Sequence, residues 1–286
     1  MKTHQLKTDG LTQQVLDAGP DDGSAPLVLL IHGFPELGIS WRAVGDMVDL
    51  VRALGHQSCT VVGHDWGAPV AWHCALMRPD VFTAVAGLSV PFQPRRASGP
   101  PTPAMAAISK RLGRGELYMN QFQAPDAHHI FEADVATGLR KGFYSYDGAT
   151  PDGRQSTGFI APGHDFLSEV PDDATLPPWM SEDHFAEYVA AFTASGFKGP
   201  IDWYRCLDLN WALTAFLQGR KIAQPSMFMV GERDPVRHYA GQHEAGLKDW
   251  LTDLRSQTVL PGTGHWLQQE RPDEVNAALI AFLRSL

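Results

Sequence analysis

The pentapeptide Gly63-His64-Asp65-Trp66-Gly67 constrains the fold more than any other stretch of the chain. Ahead of it, Thr60-Val61-Val62 is apolar and β-branched and reads as a short buried strand. Behind it, residues 67–77 read as a helix, with Pro69 in the first turn, where a missing N–H costs little. A strand that enters a helix through glycine, any residue, acid, any residue, glycine makes a sharp turn that lifts the middle side chain above the sheet. Serine is the usual residue at such a turn; here it is Asp65. An aspartate can also simply cap a helix, but the two glycines and the strand ahead of them favour a reactive carboxylate.

The rest of the chain supplies an alternation of strands and helices. Residues 3–18 read as a hairpin around Asp9-Gly10, followed by a loop at Asp21-Asp22-Gly23-Ser24. Residues 26–32 form a continuous apolar run that suits a strand buried on both faces. A helix is expected over 41–55, with Val44, Met47, Val48, Val51 and Leu54 on one face and Gly55 as its stop. Further strands are expected at 81–90, 225–230 and 257–260, and a closing helix over 273–286 behind Pro272. This order implies an α/β fold with a mostly parallel central sheet flanked by helices, and ligands in such folds bind at the carboxyl ends of the strands. Residues 92–218 differ: they are rich in proline, glycine and aromatics, and their helical stretches are broken. They read as a mainly helical cap domain with long loops over a core built from 1–91 and 219–286.

Composition narrows the partners. A net charge of −9 argues against nucleic acid or an anionic membrane. No run approaches the ~18 apolar residues of a membrane span, and the first residues, MKTHQLKTDG, carry no secretory signal. Cys59, Cys74 and Cys206 are an odd, scattered set that suits free thiols and a cytoplasmic location.

Two further residues follow strands directly. Asp234 lies in Gly231-Glu232-Arg233-Asp234-Pro235, with Glu232 a nearby rival, and His265 lies in Gly262-Thr263-Gly264-His265-Trp266. The order nucleophile, acid, histidine is that of a hydrolase triad on such a sheet. The loop His32-Gly33-Phe34-Pro35-Glu36 follows the 27–31 strand, where backbone N–H groups can meet an oxyanion. A carboxylate at the turn is a poor acyl acceptor, but it can displace a leaving group at an sp³ carbon and form an ester.

With "HGFPE", "GHDWG", "GERDPV" and "GTGHWLQQERPDEV" in place, and "GELYMNQFQAP" and "GFKGPIDWYR" between them, the chain resembles the soluble epoxide hydrolases of the α/β-hydrolase fold over nearly its whole length. That resemblance implies conversion of an epoxide and water to a vicinal diol through an Asp65 ester. His265 would be the base, Asp234 its partner, and Tyr118 and Tyr204 the lid tyrosines that hold the epoxide oxygen, with Tyr144 and Tyr146 as rivals of Tyr118. It further implies an oxyanion hole from the backbone of Phe34 and Trp66 and a cis Phe34–Pro35 bond. Trp66, Phe34, Phe122 and Trp203, with Trp179, suggest an aromatic pocket and a lipophilic small-molecule epoxide. No metal or organic cofactor is implied, detoxification is the implied role, and a homodimer stays open. His64 and Glu36 read as structural, and His128, His129, His238 and His243 as solvated surface.

One departure stands out. The family places a further strand and helix between the "HGFP" loop and the elbow, roughly 30–40 residues by βαβ arithmetic. Here residue 42 leads directly into residue 43. The loss is expected to leave the strand ending at Ile31 with an unpaired edge, or to draw the N-terminal hairpin in beside it. Two rival functions follow. A haloalkane dehalogenase shares the aspartate–tryptophan elbow but calls for halide-holding donors, often an asparagine, where Phe34 stands. A non-catalytic protein of the same fold, disabled by the missing segment, is the other.

Overall fold

Five parallel strands carry the site. The computed structural model describes residues 2–8, 11–19, 25–35 and 43–286. The hairpin is β1 (Lys2–Thr8) and β2 (Leu11–Asp17), antiparallel as expected. Then come β3 (Leu27–Ile31), α1 (Ala43–Ala53), β4 (Cys59–His64), α2 (Gly67–Met77) and β5 (Phe82–Leu88). The chain leaves the sheet for α3 (Pro101–Leu112), β6 (Glu116–Leu117), α4 (Tyr118–Gln121), α5 (His129–Glu132), α6 (Val135–Tyr146), β7 (Phe159–Ile160), α7 (Glu182–Ser195), α8 (Lys198–Arg205) and α9 (Leu207–Leu213). It returns through β8 (Ile222–Gly231), α10 (Arg237–Ala245), α11 (Leu247–Trp250), β9 (Leu251–Leu260), α12 (Leu267–Glu270) and α13 (Pro272–Arg284). The sheet order is β3-β4-β5-β8-β9, parallel throughout.

β4 sits inside this sheet and is buried along its length, as its β-branched run requires. One face packs Leu29, Val61, Val85 and Phe228 against Val48 and Val51 of α1 and Ala71, Trp72 and Cys74 of α2. The other packs Val62, Ala86 and Met227 against Val275 and Phe282 of α13. A separate apolar cluster joins the helices between β5 and β8 around Phe122, Phe131, Phe143, Phe192 and Phe197, and Trp266 from beyond β9 enters it.

β3 corrects the sequence reading. Its apolar run suited burial on both faces, yet Leu29 is 7% exposed and Leu30 69%. Leu30 pairs in register with Val62 and so shares its face, but α13 reaches Val62 and not Leu30. Among the described residues no strand pairs with the outer edge of β3, and the hairpin remains a separate two-stranded sheet. Leu6 and Val15 of the hairpin pack against the core instead. The hairpin turn at residues 9–10, the loop at 21–24, Glu36 and the stretch through Arg42 lie outside the described residues.

Two strands are longer than the sequence suggested. β8 begins at Ile222, three residues ahead of Pro225, because a register shift between Ile222 and Pro225 lets the strand absorb a residue with no N–H. β9 begins at Leu251; it is the far edge strand, and its alternating exposure tolerates the polar residues that hid it. Gly55 ends α1 with a φ of 84°, a conformation that favours glycine. No helix among the described residues is long and apolar enough to cross a membrane.

Candidate active site

The elbow forms where β4 gives way to α2. Asp65 holds a φ of 50°, uncommon for a residue with a side chain. The backbones here approach so closely that a Cβ on Gly63 would collide with the Gly67 carbonyl, and one on Gly67 with the Ile31 carbonyl. These glycines are therefore what allows the strained turn to close. Gly33 is constrained in the same way, since a Cβ there would strike the Asp65 carboxylate. That proximity has a product: the Phe34 N–H donates to Asp65 Oδ1 at 2.7 Å, next to a cis Phe34–Pro35 bond. α2 starts without a side-chain cap, so Asp65 is not spent as a capping residue. The helix N-terminus still favours an anion beside it.

His265 and Asp234 meet the carboxylate from beyond β9 and β8, on the far side of β5. His265 Nε2 lies 3.2 Å from Asp65 Oδ2, and Nδ1 lies 3.1 Å from Asp234 Oδ2. Asp234, 2% exposed, follows β8 and also accepts the Val236 N–H at 2.9 Å. Glu232, the rival acid, is exposed and accepts the Gly262 N–H instead. Burial opposes a charge on the His265 imidazole, but Asp234 and then Asp65 outweigh it and raise the group to about 10. The His265 ring is thus buried between the side chains of Asp65 and Asp234.

The backbone of His265 is clamped on both sides. Its N–H donates to the Tyr146 carbonyl at 2.8 Å. Its carbonyl accepts from Ser89 Oγ at 2.9 Å and His64 Nε2 at 2.8 Å. Glu270 accepts three further N–H groups, from Gly264 at 2.8 Å, Trp266 at 3.0 Å and Gly148 at 3.1 Å. Burial pushes the Glu270 carboxyl up to about 7, against those three donors. Sequence reasoning found His64 as a structural residue but missed Ser89, Tyr146 and Glu270 in this role. Glu270 stands five residues after His265 as the last residue of α12.

Tyr118 and Tyr204 face each other with ring centroids 5.6 Å apart, and both are buried. Burial pushes both phenols well above their usual value, and the nearby Asp65 adds to it. The Tyr118 hydroxyl also lies 3.4 Å from that of Tyr239, a contact from α10 with no sequence signal. Tyr118 and Tyr204 line one cavity together with Asp65, His265, Phe34, Phe122, Phe131 and Phe166. Trp66 and Trp203 are placed differently from the sequence expectation. Neither lines this cavity; Trp203 packs in the core beside α2, and Trp66 stands between it and Tyr204 at 5.6 and 5.0 Å. Trp179 likewise stays off the wall, donating to Asp147 from behind Trp266. Of the rival tyrosines, Tyr144 packs with Val170 and Ala174, whereas Tyr146 does line the cavity. His128, with His129 expected on the solvated surface, lies 3.8 Å from Glu132, and the three together bring donor atoms within 4.8 Å of one another.

Comparisons with known proteins give the family. Residues 19–278 match the family model described as the alpha/beta hydrolase family. "Epoxide hydrolase A" of Mycobacterium tuberculosis is 36% identical over 322 aligned positions, covering 98% of this chain and 97% of that protein. "Epoxide hydrolase 3" of Siraitia grosvenorii is 32% identical, covering 97% and 96%. Among solved structures, an epoxide hydrolase from an endophytic Streptomyces superposes with a TM-score of 0.88 at 33% identity, covering 99% of this chain and 95% of the other. Epoxide Hydrolase A from Mycobacterium thermoresistibile gives 0.87 at 33%, covering 99% and 98%. The Mycobacterium tuberculosis alignment also measures the departure. A chain of 286 residues leaves at least 36 of the 322 positions without a counterpart, about the size of the strand and crossover that the sequence reading expects before residue 43.

Proposed function

We propose how catalysis runs in a chain that belongs to the alpha/beta hydrolase family and is, within it, an epoxide hydrolase: Asp65 opens the ring and His265 frees the product. The epoxide oxygen accepts from Tyr118 and Tyr204 while an Asp65 oxygen attacks a ring carbon from the opposite side. A C–O bond of the ring breaks as the ester bond forms, and the alkoxide takes a tyrosine proton. Esterification removes the charge of Asp65, and with it part of what holds the His265 proton. His265 yields that proton to the tyrosinate and becomes a neutral base. It then takes a proton from water, whose oxygen attacks the Asp65 carbonyl carbon. The oxyanion accepts from the Phe34 N–H, with the Trp66 N–H as the expected second donor. The ester C–O bond breaks, the leaving oxygen takes the remaining proton of the former water, and the diol departs. Asp65 is again an anion beside an imidazolium.

The observation that carries this reading is that one carboxylate is held by both the Phe34 N–H and His265 beneath two buried phenols. Phenols suit an oxygen leaving group, and Phe34 stands where a dehalogenase calls for a halide donor. The triad is assembled despite the missing segment, which speaks against a non-catalytic role. Residues 92–218 act as the cap that supplies both tyrosines, and the aromatic wall suits a lipophilic epoxide. Free thiols at Cys59, Cys74 and Cys206 suit the cytoplasm, and clearing reactive epoxides there is the role we assign.

Intact-protein mass spectrometry of His265→Gln tests the reading, after exposure to styrene oxide or a chloroalkane in parallel. The expected result is a mass gain equal to the whole epoxide that disappears when Asp65→Ala is added. An adduct from the chloroalkane alone, short by HCl, would replace this reading with dehalogenation.

A further inference from the structure

We propose that Tyr146 is a specificity residue, and that its hydroxyl selects epoxides carrying an ether or hydroxyl oxygen in the substituent beside the ring. The proposal rests on the reading of Asp65 as the group that opens an epoxide. Tyr146 ends α6 and is 7% exposed, and its hydroxyl is buried without a hydrogen-bond partner. The Ser156 and Tyr118 hydroxyls come near it but short of hydrogen-bond geometry. Each has another bond: Ser156 Oγ accepts the Gly158 N–H, and Tyr118 meets Tyr239.

A buried hydroxyl with no partner is costly, and phenylalanine would fill the same space without that cost. The residue nonetheless lines the catalytic cavity. Its position is fixed, because its carbonyl accepts the His265 N–H and its ring stands edge-on to the imidazole at 5.5 Å. Burial raises the phenol above its usual value and keeps it a donor. Apart from the triad members and the two lid tyrosines, the neighbouring wall is Phe34, Phe122, Phe131, Leu139 and Phe166, while the Trp266 N–H is already donated to Phe143. Among the described residues of that wall, Tyr146 therefore offers the one uncommitted donor. The epoxide oxygen already has two phenols, so this third one faces a different atom of the substrate. A site that holds a substrate oxygen discriminates strongly against an analogue that lacks it.

The test compares phenyl glycidyl ether with (2-phenylethyl)oxirane, which differ by one oxygen in place of a methylene. Tyr146→Phe is expected to lower kcat/KM for the ether about tenfold more than for the hydrocarbon, as one lost hydrogen bond would. Equal losses on both substrates would assign Tyr146 to support of His265 and overturn the proposal, as would no loss on either. Product inhibition of the wild-type enzyme needs no variant: 3-phenoxypropane-1,2-diol should inhibit about tenfold more tightly than 4-phenylbutane-1,2-diol, and equal inhibition would count against the proposal. Failure of the underlying reading has a separate sign, since wild type would then form no diol from either epoxide.

Discussion

At the scale of single residues, charge and hydrogen-bond direction decide the outcome. Tyr118→Phe and Tyr204→Phe should each slow ester formation about 10²-fold by removing a proton donor, read by rapid-mixing tryptophan fluorescence. The raised His265 gives a pH signature. Its folded value of about 10 lies above the unfolded 6.5, so the stabilisation it brings is complete below about 6.5 and lost as pH rises through 10. The melting-temperature advantage of wild type over His265→Gln should therefore shrink between pH 7 and 10; a constant difference would contradict a charged resting histidine. Glu270→Gln cannot accept from all three backbone donors, and should cost about 1–3 kcal/mol in denaturant unfolding while lowering turnover through His265. Asp65, Asp234 and His265 were legible in the sequence because each follows a strand within a short local pattern. Ser89, Tyr146, Tyr239 and Glu270 were not, because their roles arise only when separate segments meet around His265 and Tyr118.

At the scale of elements, β3 shows what an interrupted layer does. The sequence reading located every strand of the central sheet, because buried parallel strands announce themselves by apolar runs. It misjudged β3 because the same run does not reveal whether a covering element is present. Leu29→Ala should cost about 2–5 kcal/mol, whereas Leu30→Thr should stay within about 0.5 kcal/mol, both from urea unfolding. Comparable losses would mean that Leu30 is covered in solution. The polar alternation of β9 and the proline in β8 hid their first halves for the reason given by their positions, an edge strand and a register shift. The short helices between β5 and β8 were readable only as broken helical stretches, since their apolar partners come from across the cap cluster.

For the whole molecule, the alignment with the Mycobacterium tuberculosis relative is at least 36 positions longer than this chain, yet Asp65, Asp234 and His265 still meet. Asp65, Asp234 and His265 follow β4, β8 and β9, and β3 meets them only through the Phe34 N–H beyond its end, while among the described residues its outer edge pairs with no strand. Local stability should follow the same gradient. Hydrogen exchange is expected to be slowest in β4, β5 and β8 and at least about tenfold faster in β3; equal protection would mean that the edge is closed. The central claim is that the carboxylate of Asp65 becomes covalently bound to substrate. A single turnover in H₂¹⁸O with enzyme in excess over epoxide tests it most directly, by mass analysis of the diol and of the peptide holding Asp65. The account predicts an unlabelled first diol and one ¹⁸O in Asp65, because water attacks the ester carbonyl. Label in the first diol with none in Asp65 would show water opening the ring directly, and would contradict it.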